Sequence, residues 1–134
     1  MSTTLIQHGT IVSATGRTDG DVLIDGETIV AILAPGQAAS MGVVADRTID
    51  ATDKYVVPGG IDAHTHMELP FGGTYASDTF ESGTIAAAGG GVTTIIDFPV
   101  QRTGESVYDG LAEWHEKAAG NCAIDYAFHQ IIGG

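Results

Sequence analysis

Two histidines one residue apart, His64 and His66, stand where an apolar stretch is about to become a loop. On a β-strand, residues i and i+2 share a face, about 6–7 Å apart at Cα. Two imidazoles held that way converge on one metal ion, and Zn²⁺ takes neutral imidazole readily. A lone His-x-His is weak evidence, since paired strand histidines are more often surface or satisfied core residues. Its surroundings strengthen it: Asp62 lies two residues earlier, and Pro58-Gly59-Gly60 makes a bend before the strand. Strand alternation puts Asp62 on the same face as His64, where it serves either to orient a ligand by hydrogen bonding or as a purely structural carboxylate. The stretch reads as half of a metal site.

The elements that must hold these side chains fall into two parts. Residues 1–57 read as all-β: Leu5–Ser13 with an interruption at Gly9, then Asp21–Asp25 and Glu27–Leu33 around an Asp25-Gly26 hairpin signal. A loop with a short turn over 34–44 and short strands at Thr48–Ala51 and Lys54–Val57 complete it. His8, alone on its strand, reads as structural. From Ile61 strands alternate with helices, the pattern of a parallel α/β architecture. Strands are expected at 61–66, 92–100 and 125–132. The first helix is expected to open at an Asp78–Glu81 capping box and to end at Gly89–Gly91, and Ser106–Asp109 is expected to cap the second. In that second helix Val107, Leu111, Trp114 and Ala118 form one stripe, making Trp114 a core residue.

The segment PGGIDAHTH resembles the first-strand signature of the metal-dependent amidohydrolases. Its continuation through Gln101 is similar to the dihydropyrimidinase and D-hydantoinase branch, which opens cyclic ureides. The resemblance runs over nearly the whole chain but covers only the beginning of the family's pattern. It implies an α/β fold in which 58–134 begin a (β/α)₈ TIM-like barrel, typically about 250 residues when complete. Residues 1–57 would form part of an N-terminal β-sandwich.

The resemblance also implies zinc-dependent hydrolysis of dihydropyrimidines or 5-substituted hydantoins, a metal-activated hydroxide attacking the ring carbonyl. Two Zn²⁺ ions would be bridged by a carboxylated lysine, with His64 and His66 on the more buried one. The lysine, two further histidines and a catalytic aspartate belong to later strands. Lys54, Lys117, His115 and His129 do not match them, so no catalytic residue is expected in this chain and the chain alone is expected to be inactive. Leu69 and Phe71, in the loop 67–77 where glycines supply mobility, would line the pocket for the substrate's exocyclic substituent, or else pack the loop on the barrel rim. Asp97, at the end of the second strand, is a weaker candidate of the Asp62 kind. His129 reads as a core histidine. Alternatives are an allantoinase or dihydroorotase-like enzyme, or a non-catalytic scaffold relative; retention of both histidines favours the enzyme.

A net charge of −12 argues against nucleic acid and against anionic membrane surfaces as partners. The expected partners are a small cyclic ureide or amide, the remainder of the barrel and, by resemblance, further copies in a homotetramer. With Cys122 as the one cysteine, no intrachain disulfide forms. The N-terminus has no signal-peptide pattern and no apolar run reaches the length of a membrane span. A cytoplasmic location is the resulting expectation.

Overall fold

In the computed structural model, which describes residues 2–133, the first apolar run is β1 (Thr3–Ser13). It pairs antiparallel with β2 (Gly16–Asp25), which turns at Gly26 (φ 59°) into β3 (Thr28–Leu33). The hairpin falls where Asp25-Gly26 places it. β2 begins earlier than its apolar pattern, because polar residues also extend the ladder: Thr10 stands opposite Asp19, and Val12 opposite Arg17. A single turn of helix, α1 (Gln37–Ser40), precedes β4 (Arg47–Asp50) and β5 (Tyr55–Val56), both parallel to β1. The sheet order is β3-β2-β1-β4, with β5 also on β1. Leu5, Leu33 and Ala38 form its buried centre.

The interruption expected at Gly9 is a β-bulge, where the register passes from Ile6 opposite Val22 to Gly9 opposite Gly20. The left-handed residue is His8 (φ 63°), whose backbone N–H donates to Asp21 Oδ1 at 2.9 Å. Gly9 is needed for space: a Cβ there would lie 2.5 Å from Val56 Cγ2.

The His8 ring meets Asp50 Oδ1 at 3.2 Å, and the same oxygen accepts from the hydroxyl and the N–H of Thr52. These Thr52 hydrogen bonds, with His8 adding, lower the Asp50 pKa from 3.8 to about 2. The folded value lies below the unfolded one, so the carboxylate's stabilisation is present above about pH 3.8 and is lost as pH falls toward 2. An NMR titration of the Asp50 carboxyl is expected to show a midpoint near 2; a midpoint at 3.8 would remove this argument.

Contacts divide the chain into two units, Met1–Pro58 and Gly59–Gly134. The second contains β6 (Gly60–Thr65), the two-residue strands β7 (Pro70–Phe71) and β8 (Thr74–Tyr75), α2 (Phe80–Gly89), β9 (Val92–Asp97), α3 (Val107–Ala118) and β10 (Asp125–Phe128). β6, β9 and β10 are parallel, in the order β10-β9-β6, and both longer helices follow a strand of this sheet. The architecture is therefore α/β. Phe80, Ile95, Trp114 and Ala118 form the buried core between helices and sheet.

Local signals differ from expectation by small, explicable amounts. The cap of α2 is Thr79 rather than Asp78, with Thr79 Oγ1 accepting from Ser82 N at 3.1 Å and Ser82 Oγ accepting from Thr79 N at 3.0 Å. Asp78 instead accepts from the Ser82 hydroxyl. Ser106 and Asp109 cap α3 reciprocally, as expected. Gly91 (φ 83°) supplies the left-handed turn that closes α2. β10 is shorter than the expected 125–132, with one further bridge between Val100 and Ile131. Among the described residues no helix is long and apolar enough to cross a membrane.

Candidate metal centre

The site lies at the carboxyl end of β6. Asp62 stands beside Ile95 and Thr65 beside Asp97, so β6 advances three residues while β9 advances two. This bulge interrupts the alternation from which a common face for Asp62 and His64 follows. The two are linked locally instead, as the His64 N–H donates to Asp62 Oδ1 at 3.1 Å. Asp62 thus holds the bulged backbone from which the first imidazole projects.

From the bulge and just after it, His64 and His66 converge, their Nε2 atoms 3.1 Å apart. For nitrogens held at the usual Zn–N distance of about 2.0–2.1 Å, that separation subtends roughly 100°, between octahedral and tetrahedral angles. Two neutral imidazoles also suit zinc chemically. The pair therefore fits one metal ion. Among the described residues no third His, Cys, Asp or Glu completes a metal-holding group with them.

The other candidate groups are placed elsewhere. Lys54 precedes β5 in the first unit, and Lys117 lies on α3, 2.8 Å from Glu113 and over the Trp114 ring. The His115 ring packs on Phe128 at 4.9 Å. His129 is exposed rather than the expected core histidine, and its ring meets the edge of Phe98 at 5.4 Å. Burial, with the Asp97 charge adding, raises the Cys122 thiol pKa and keeps it from acting as a thiolate.

Phe98 was not legible as a site residue, yet its ring lies 4.3 Å from that of His64 and 5.4 Å from that of His66. Its neighbour Asp97 is fully buried and points toward α3. A charged residue inside the apolar run 92–100 is the signal for it, since buried charge needs partners.

The loop after the histidines folds as a short hairpin. Pro70–Phe71 pairs with Thr74–Tyr75 across Gly72 (φ 61°) and Gly73 (φ 81°), a two-residue turn with both central residues left-handed. Both glycines meet a turn requirement. Leu69 is half-buried against the helix-side core, while Phe71 is 80% exposed on the hairpin. The two therefore do not share one environment.

Parallel strands with helices on their connections make the second unit an α/β protein, with paired imidazoles at the carboxyl end of one strand. Residues 55–129 match the model of the amidohydrolase family. The chain belongs to that family. It is 54% identical to a D-hydantoinase of Streptomyces coelicolor over 98% of this chain and 28% of the relative. With a D-hydantoinase of Geobacillus stearothermophilus the identity is 49%, over 97% of this chain and 26% of the relative. The crystal structure of a dihydropyrimidinase from Brevibacillus agri superposes with a TM-score of 0.89 at 50% identity, covering 97% of this chain and 27% of that one. An L-hydantoinase from Arthrobacter aurescens gives 0.75 at 30%, covering 96% and 27%. The chain thus spans about a quarter of the length of these relatives.

Proposed function

We propose that this chain is the N-terminal portion of a zinc-dependent cyclic amidohydrolase that opens the ring amide of dihydropyrimidines or 5-substituted hydantoins. The observation that carries the reading is the 3.1 Å approach of His64 Nε2 to His66 Nε2 at the end of a parallel strand. Barrel enzymes place their chemistry at that end of the strands. On this reading β6, β9 and β10 are the first three strands of a (β/α)₈ barrel, and the first unit contributes to a β-sandwich.

His64 and His66 would hold one ion, and later strands would supply the remaining ligands and a second ion. Bound zinc would polarise the ring carbonyl and lower the pKa of water toward neutrality. The chain's own residues supply position. Asp62 steadies the His64 backbone, Phe98 backs the imidazoles, and Leu69 anchors the base of the hairpin that presents Phe71. Phe71 would contact the exocyclic substituent of the ring. In the complete enzyme, Phe71→Ala is then expected to lower kcat/KM for bulky 5-substituted hydantoins about tenfold, with dihydrouracil little affected. An unchanged substrate profile would exclude that contact.

Grafting residues 1–133 in place of the matched segment of the Streptomyces coelicolor D-hydantoinase provides the missing strands for a test of activity. The zinc-loaded graft is expected to open hydantoin and dihydrouracil rings, followed by loss of ultraviolet absorbance, while the 134-residue chain alone does not. A folded, metal-loaded graft with no ring opening would refute the reading.

A further inference from the structure

Asp97 accepts four hydrogen bonds, two on each oxygen, although its carboxylate is wholly shielded from water. Oδ2 accepts from the Thr65 hydroxyl at 2.8 Å and from the Met67 N–H at 2.8 Å. Oδ1 accepts from the Phe98 N–H at 2.9 Å and from Trp114 Nε1 at 2.9 Å. Thr65 and Met67 are the immediate neighbours of His66 on either side. The Asp97 backbone carbonyl also accepts from His129 N at 2.8 Å, joining the end of β10. On the imidazole side, Phe98 places its ring against both His64 and His66.

We propose that Asp97, with Phe98 beside it, is the positioning device that sets the His64–His66 pair. Oδ2 fixes the backbone on both sides of His66, Oδ1 ties that carboxylate to α3, and Phe98 limits the tilt of the rings. An ionised carboxylate suits this place because it only accepts, and all four surrounding groups donate. Asparagine would turn its NH₂ toward one pair of donors, setting N–H against N–H at Met67 or at Trp114 and Phe98. The inference rests on the metal reading of His64 and His66 for its use, but its geometry stands without the ion.

Two readouts on the full 134-residue chain test it: zinc affinity by competition with a chromophoric chelator, and the NMR cross-relaxation between the His64 and Phe98 rings. Asp97→Asn is expected to weaken zinc binding about 10- to 100-fold, the usual scale for groups behind a ligand, and to weaken the ring–ring signal. Thr65→Val, which removes one donor beside His66, should shift both in the same direction by less. Trp114→Phe, which removes the α3 tie on Oδ1 but none of the donors beside His66, should shift both readouts in the same direction by less than Asp97→Asn.

A folded Asp97→Asn variant with unchanged affinity and ring contact would overturn the proposal, as would equal losses in Trp114→Phe. If Asp97→Asn does not fold, Thr65→Val decides: a loss supports positioning and no change refutes it. If the unsubstituted chain, which holds two of the ligands, binds no measurable zinc, the ring contact alone decides: its loss in Asp97→Asn supports the positioning and no change refutes it.

Discussion

The double substitution His64→Ala, His66→Ala is expected to abolish zinc uptake by this chain while leaving its fold intact. Both side chains are exposed, so their removal opens no cavity. The loss in affinity should exceed the roughly 10- to 100-fold typical of groups behind a ligand, because the donor atoms themselves disappear. Each single variant leaves one imidazole and should lose most of the affinity, since two nitrogens 3.1 Å apart act as one chelating pair. Equilibrium dialysis with metal analysis reads the loss, and far-ultraviolet circular dichroism reads the fold. A double variant that took up zinc like the parent would move the metal to other residues.

Trp114→Ala is the substitution expected to cost most in stability. The indole is wholly buried among Phe80, Ile95 and Ala118. Truncating a buried tryptophan typically costs about 3–5 kcal/mol in transfer and cavity terms. It also removes one of the two donors to Asp97 Oδ1, leaving the Phe98 N–H. Against the roughly 5–15 kcal/mol that holds most domains folded, this brings the second unit near its limit. Urea unfolding followed by circular dichroism should show the midpoint drop, since the substitution deletes the chain's one tryptophan and with it the fluorescence probe. A change below about 1 kcal/mol would mean that the helix–sheet layer is not centred on this residue.

Much of the fold was legible because its signals are local. Asp25-Gly26 specifies a turn through backbone freedom at one residue, and Ser106 with Asp109 specifies a helix start through two reciprocal hydrogen bonds. The apolar stripe on α3 follows from a period of 3.6, which marks Trp114 as core without reference to its neighbours in space. Where two polar caps competed, at Asp78 and Thr79, type and spacing alone did not discriminate. The winner is the side chain that accepts the Ser82 N–H, the Thr79 hydroxyl.

The site was legible in its residue types and not in its construction. His64 and His66 announce themselves by chemistry and by a spacing of two, because ligand atoms must be imidazole or carboxylate whatever surrounds them. Their convergence needed more. A bulge in β6 broke the alternation on which the Asp62 reading depended, and bulges arise from pairing with another strand. Asp97 draws its donors from β6, the loop after it, its own chain neighbour and α3, with sequence separations of up to 32 residues. No local pattern encodes such a set. The chain's own order specifies which side chains are available, whereas their approach in space depends on which distant backbones and hydroxyls close around one buried charge.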